Sequence, residues 1–422
     1  MVEKLRHGRR GLSILALAGA GLLALTGCTG DPGPTVTLPA QADGELPAET
    51  GKQIDDAVAN AMAMAAAPGA IVGVWAPWAG SSLKGYGVTE IDGKTEVEPD
   101  MAFRIGQNTQ PMTCSVLLAL VDKGKVSLND KVADYLPGTV GLTGITFSNL
   151  CTGTSGLGGY RGNLDNIFIQ NPERIWSPNE LYNDGMATKA ADPGDTFSPA
   201  DTGYVLLGMA LEAATGKQMN ELYNEYVFTP VGMDRSTLPS PAKTELPDSS
   251  LHAYEALKVD GKLQCDAPFD ESKLSSSLGY TSAGVVSTAA DVHAFSQAFA
   301  TGALFKKGTA DVQKQTRPIG DKAESWQQYG FGTYHYGPLY GQAGDVPGFI
   351  TASLSDPSSG LTIVVMLNNS TAGSGLALDL AMQLASYASK VPAAKGNTAP
   401  GLDLPWSAGQ MQDAIGKLAV CQ

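Results

Sequence analysis

Histidine and cysteine are scarce in this 422-residue chain, with four and five residues and no C-x-x-C spacing. Past residue 28 only His252, His293 and His335 remain, too few and too dispersed for the Cys/His sets that hold structural zinc. No metal and no other cofactor is expected. Positive charge is short as well: 28 Lys+Arg stand against 42 Asp+Glu, a net charge of -14. Nucleic-acid phosphates and anionic lipid headgroups repel so acidic a chain, which excludes nucleic acid as a partner. Long hydrophobic runs are missing, apart from one near the start, so no further segment is expected to span a bilayer.

That one run, Leu12 to Leu25, follows Lys4, Arg6, Arg9 and Arg10 and ends in Leu25-Thr26-Gly27-Cys28. A basic start followed by a short apolar stretch is the pattern of an export signal, and the run is too short for a spanning helix. Those last four residues resemble a bacterial lipobox, in which the cysteine becomes the lipidated first residue of the mature chain. Residues 1–27 are therefore expected to be a lipoprotein signal peptide, with Cys28 lipidated and the chain held on the extracytoplasmic face of a membrane. Residues 28–50 are rich in Pro, Gly and small polar residues and read as an extended tether. An exported chain can oxidise its other four cysteines, which allow three pairings. Cys114 with Cys151, and Cys265 with Cys421, is the expected set; four buried thiols is the alternative.

Between 51 and 389 the pattern is that of one domain. "KQIDDAVANAMAMAA" has helical periodicity, and "GAIVGVWAP" and "LKGYGVTE" read as strands joined at Gly80-Ser81-Ser82. "DTGYVLLGMALEAATGK" reads as a helix with a cap-like Asp201-Thr202 start and Gly216 at its end. Near the end, "QYGFGTYHYG", "VPGFITASLS" and "LTIVVMLNN" alternate or run apolar like sheet strands, and a closing helix follows. Strands at both ends of the domain with helices between imply an α/β (α+β) fold. It is an antiparallel sheet flanked by helices, with an all-helical insertion over 151–279. Residues 390–422 read as a tail with a short helix at Met411–Leu418. A cleft is expected between the sheet and the insertion.

One stretch carries the functional question. "FRIGQNTQPMTCSVLLALVDKGKVSLND", Phe103 to Asp130, has a strand, a tight turn and a helix. Together with "ITFSNLCTGTSGL", "TGYVLLGMALEAATGK", "YVFTPVGMDRST" and "AGVVSTAADVHAF", in the same order, it resembles the serine β-lactamase and D,D-peptidase superfamily. The branch resembled is that of class C β-lactamases and the related D-aminopeptidase- or esterase-like hydrolases, from about Gly51 to Ser389. The resemblance implies that family's β-lactamase/transpeptidase-like fold, and its reactive residues can be sought position by position.

They are absent. The family's S-x-x-K places a serine nucleophile and a lysine base on one face of the helix start; here those positions are Gln107 and Gln110. Its Y-x-N becomes Pro199 and Asp201. The cation of its K-T-G or H-x-G is Gln342, and the histidine of its H-T-S-G-L is Gly153. A carboxamide neither attacks an acyl carbon nor takes a proton near neutral pH. No catalytic residue is expected, and Gln107, Gln110, Asp201 and Gln342 become ligand-binding candidates for an envelope glycan or peptide. Pro111 is expected to bias Gln110 away from helical geometry and delay the helix. Two alternatives stand beside this reading: a working esterase- or carboxypeptidase-like hydrolase with an unidentified nucleophile, and a structural or regulatory envelope protein with no cleft ligand. Thr109, Ser115 and Ser155 are the neighbouring hydroxyls, each more simply structural, and His335 is the histidine best placed to act as a base. The oligomeric state is left open.

Overall fold

Along Gly69–Ala76 every residue is buried, although its side chains point to opposite faces in turn. Such a strand must be covered on both sides, and it is. Eight strands form one antiparallel sheet: β1 (Gly69–Ala76), β2 (Gly80–Gly87), β3 (Arg317–Pro318), β4 (Gln327–Gly330), β5 (Thr333–Tyr336), β6 (Leu339–Val346), β7 (Phe349–Ser355) and β8 (Thr362–Leu367). Their spatial order is β2-β1-β8-β7-β6-β5-β4-β3. The computed structural model describes residues 36, 38–188, 191–194, 196–247 and 251–422. The expected signal peptide, Cys28 and the first part of the tether lie outside the described residues. Among the described residues no helix is long and apolar enough to cross a membrane.

One face of the sheet, carrying Ala70, Val72, Val74, Ile350 and Ile363, packs on α1 (Ala48–Ala65) and the C-terminal helices. Ile54, Ala57, Val58, Ala61 and Ala65 make the buried stripe of α1 at helical spacing. The opposite face, with Ile71, Trp75, Val364 and Met366, joins the core of the helical part. There lie α2 (Thr109–Asp122), α3 (Asp201–Thr215) and α4 (Ala289–Thr301), while α5 (Ser374–Ala388) and α6 (Ala408–Lys417) belong to the first face. Trp75 stacks on His293, with ring centroids 4.1 Å apart, so that histidine is a packing residue.

Four boundaries differ from the sequence reading. The tether does not run to residue 50: Leu46 is buried, Ala42 N–H donates to Pro77 O, and 44–46 exchange hydrogen bonds with Ser81. The cause is β2, an edge strand whose free backbone groups are covered by this segment. The β1–β2 turn falls at 77–79, because Gly80 and Ser81 already pair with Ala76 and Trp75. The insertion is not all helical. Tyr254–Glu255 pairs with Phe269–Asp270 and Lys258–Val259 with Lys262–Leu263, the latter around Asp260-Gly261, both at positive φ. Asp-Gly is the turn that two-residue hairpins favour, and it was legible. The C-terminal tail is part of the core: Trp406 is buried, its Nε1 donates to Met382 O at 2.9 Å, and Ser407 caps α6. Disulfides join Cys114 to Cys151 and Cys265 to Cys421.

Glu271 is 0% exposed, and neither carboxyl oxygen has a hydrogen-bond partner among the described residues. Burial first, then Glu255 and Asp270, push its carboxyl up to about 9. The folded chain thus keeps a proton that the unfolded chain releases above about 4.5. Stability is expected to fall as pH rises through that window. Glu271→Gln should flatten the slope, by about 1 kcal/mol or more between pH 5 and pH 8 in urea titrations; an unchanged slope would refute it.

Candidate functional site

Gly106 has φ +53 and starts a short 3₁₀ turn, Gly106–Asn108, that runs directly into α2. The turn lies against β6. A Cβ on Gly106 would stand 2.6 Å from Asp345 N, and one on Gly344 would stand 2.5 Å from Gln107 N, so both positions need glycine. Asn108 clamps the turn to β7: its Nδ2 donates to Thr351 Oγ1 at 2.9 Å and its Oδ1 accepts from Ser353 Oγ at 2.7 Å. Gln107 therefore lies in the turn before α2. Gln110, however, is the second residue of α2 and is helical, contrary to the expectation from Pro111. A first-turn proline sacrifices no helical hydrogen bond, and the packed turn overrides its local bias.

The two amides are held firmly. Gln110 is 6% exposed; its Nε2 donates to Asp201 Oδ1 at 2.8 Å and to Ser282 Oγ at 3.1 Å. Its Oε1 accepts from Gln342 Nε2 at 3.0 Å. Ser282 Oγ donates to the same Asp201 oxygen at 2.7 Å. Gln107 Oε1 accepts from the Asp345 N–H at 2.7 Å. An acyl-transfer site needs free N–H groups to receive a developing oxyanion. Here the N–H of Asp345 is already bound by the chain's own side chain.

Gln107, Gln110, Pro199, Asp201 and Gln342 line one cleft of about 330 Å³ between the sheet and the helical part. Asp201 is the first residue of α3, where the helix dipole favours a carboxylate, but its side chain makes no capping bond and turns to Gln110 and Ser282 instead. Gly153 is not in the cleft. It has φ +66, and a Cβ there would stand 2.9 Å from the Phe197 ring, which occupies the space a side chain at 153 would need.

Sequence reading missed Tyr329, Tyr334, Tyr336 and Asp345 on the cleft wall, and Ser282 behind it. The signal was the run "YGFGTYHY". Strand alternation puts Tyr334 and Tyr336 on one face of β5 and His335 on the other. His335 is stacked on Tyr340, ring centroids 3.7 Å apart, and does not line the cleft. Burial lowers its pKa to about 4, so it stays neutral. Burial raises the Tyr334 phenol, and Asp201 raises it further; burial holds Tyr329 well above the ordinary phenol range. Both keep their protons at neutral pH and neither can serve as a base.

The neighbouring hydroxyls are occupied. Thr109 Oγ1 accepts from Val285 N–H, Ser115 Oγ donates to Pro111 O, and Ser155 Oγ accepts from Leu157 N–H. None of the three lines the cleft. Among the described residues no Lys, Arg or His lines it either, and no cluster of three or more His, Cys, Asp or Glu is placed to hold a metal.

A sequence profile described as Beta-lactamase matches residues 54–387. Penicillin-binding protein 4 of Amycolatopsis lactamdurans is 27% identical over 303 residues, covering 66% of this chain and 75% of that protein. The D-alanyl-D-alanine-carboxypeptidase/endopeptidase AmpH of Escherichia coli K12 is 32% identical over 173 residues, covering 38% of this chain and only 43% of its own length. A solved structure of D-amino acid amidase from Ochrobactrum anthropi SV3 superposes with a TM-score of 0.66 at 20% identity, over 80% of this chain and 99% of that one.

Proposed function

Since the chain belongs to the beta-lactamase family, we propose that it is a non-catalytic member: an exported lipoprotein anchored through Cys28 whose cleft binds an envelope ligand without cleaving it. One observation carries this reading. The Gln110 amide bonds Asp201, Ser282 and Gln342 at once, so the centre of the cleft is a closed hydrogen-bond network rather than a nucleophile beside a base. The occupied Asp345 N–H adds to it. The relatives named as enzymes share the frame, but a frame does not confer the chemistry.

Purified protein exposed to fluorescent penicillin or a fluorophosphonate should carry no covalent label. Label on any serine or threonine, lost when that residue is replaced, would overturn the reading. Anchoring is checked separately, by the mass of the mature N-terminus: Cys28 as its first residue, bearing lipid, is the expected result.

A further inference from the structure

Three tyrosine rings and two carboxylates wall the cleft, with no basic side chain among its described lining residues. Tyr334 stands edge-on to Tyr329 with ring centroids 4.7 Å apart, and parallel to Tyr336 at 5.5 Å, so the rings form one continuous wall. The Tyr329 hydroxyl is engaged by Tyr204, which leaves the ring as its contribution to the cleft.

The polar groups differ in what they have left to offer. Gln342 Nε2 is shared between Gln110 Oε1 and Gly332 O. Asp201 Oδ1 takes both Gln110 and Ser282, while Oδ2 accepts no hydrogen bond among the described residues. Asp345 pairs with Arg161, which Asp165 also engages at 3.2 Å, so two carboxylates share one guanidinium. The surplus charge at the cleft is negative.

An anion entering here meets carboxylates and no cation to receive it. A neutral ligand finds the Gln110 and Gln342 amide donors already in use and only the Gln107 Nε2 group open to it. A cation finds an open carboxylate oxygen beside a wall of tyrosine rings, and both the carboxylate and the electron-rich rings attract positive charge. We infer that the cleft binds an organic cation, an alkylammonium group on a small ligand or chain end, with Asp201 as counter-ion and Tyr329, Tyr334 and Tyr336 around the charge. This rests on the reading of the cleft as a binding site, and it inverts the polarity of the resembled family, whose lysine suits a carboxylate. The volume of about 330 Å³ suits a group the size of an amino acid.

Three probes of equal length isolate the charge: n-pentylamine, 1-pentanol and pentanoate, titrated at pH 7 and followed by ligand-observed NMR. The ammonium is expected to bind at least ten times more tightly than the alcohol, with pentanoate weakest, and to weaken as salt rises. Asp201→Asn should abolish most of that preference. Tyr334→Leu, which leaves the charge in place, should weaken the ammonium several-fold. The probe series on the native chain needs no variant to fold. Equal binding of amine and alcohol, or preference for pentanoate, overturns the inference. If N-acetylglucosamine or a dipeptide binds and pentylamine does not, the cation inference fails while the binding function stands. If nothing binds, both fail.

Discussion

A chain carrying Gln107→Ser and Gln110→Lys is expected to stay unreactive toward fluorescent penicillin, and one that adds Pro199→Tyr and Asp201→Asn is expected to label. The double change restores a nucleophile and frees the Asp345 N–H that Gln107 now occupies. It does not restore a base. A lysine at 110, one bond longer than glutamine, would bring its ammonium beside Asp201, whose Oδ1 now accepts from Gln110 Nε2 at 2.8 Å. That carboxylate stabilises the charged form and raises the lysine pKa, so near neutral pH no lone pair is available for the serine proton. Removing the charge with Asp201→Asn and supplying a phenol at 199 corrects both defects. General-base assistance contributes roughly 10²–10⁴-fold, so the quadruple variant should label at least about 10²-fold faster than the double. A time course of gel fluorescence reads the ratio. Equal rates would mean that Asp201 does not govern the base position. A folded quadruple variant that never labels would place the loss in the backbone frame rather than in these side chains.

Replacing Cys114 and Cys151 together with alanine is expected to cost about 4 kcal/mol, from the loop entropy that the bond removes from the unfolded chain. The two residues are 37 apart in sequence, and both are fully buried. The bond ties α2, which carries Gln110, to the short helix Phe147–Cys151, and Cys151 O in turn accepts the Gly332 N–H at 2.7 Å beside β5. Its loss should therefore loosen the cleft as well as lower global stability. Urea denaturation of the native and variant chains measures the first, and hydrogen exchange along α2 the second. A stability loss below about 1 kcal/mol would show that the unfolded state is already restrained in this region.

Much of the frame was open to reading because its signals are local. The stripe of α1 depends on residues three and four apart, and the strand character of 69–76 on neighbouring side chains. The replacement of a nucleophile by Gln107 and of a base by Gln110 is a matter of identity and spacing within four residues. The places where reading failed depend on what lies across space. Pro111 has a local bias against helix at Gln110, but the turn is pinned by Thr351 and Ser353, and packing prevails. The segment 44–46 is polar enough for a tether, and only the open edge of β2 makes it part of the sheet. His335 looked available until the pleat turned it away from the cleft and the neighbouring tyrosines into it.

By itself, then, the amino-acid order determined the family frame and the absence of a serine, a lysine and a phenol from their places in it, since covalent identity needs no folding to be known. Only the tertiary structure decided what the substituted residues do. Gln110 meets Asp201, Ser282 and Gln342 from positions 91, 172 and 232 residues away, and such meetings are set by how β6 packs on the start of α2 and how α3 docks beside it. Hydrogen bonds act over a few Å, so no regularity along the chain can announce which distant groups will share one.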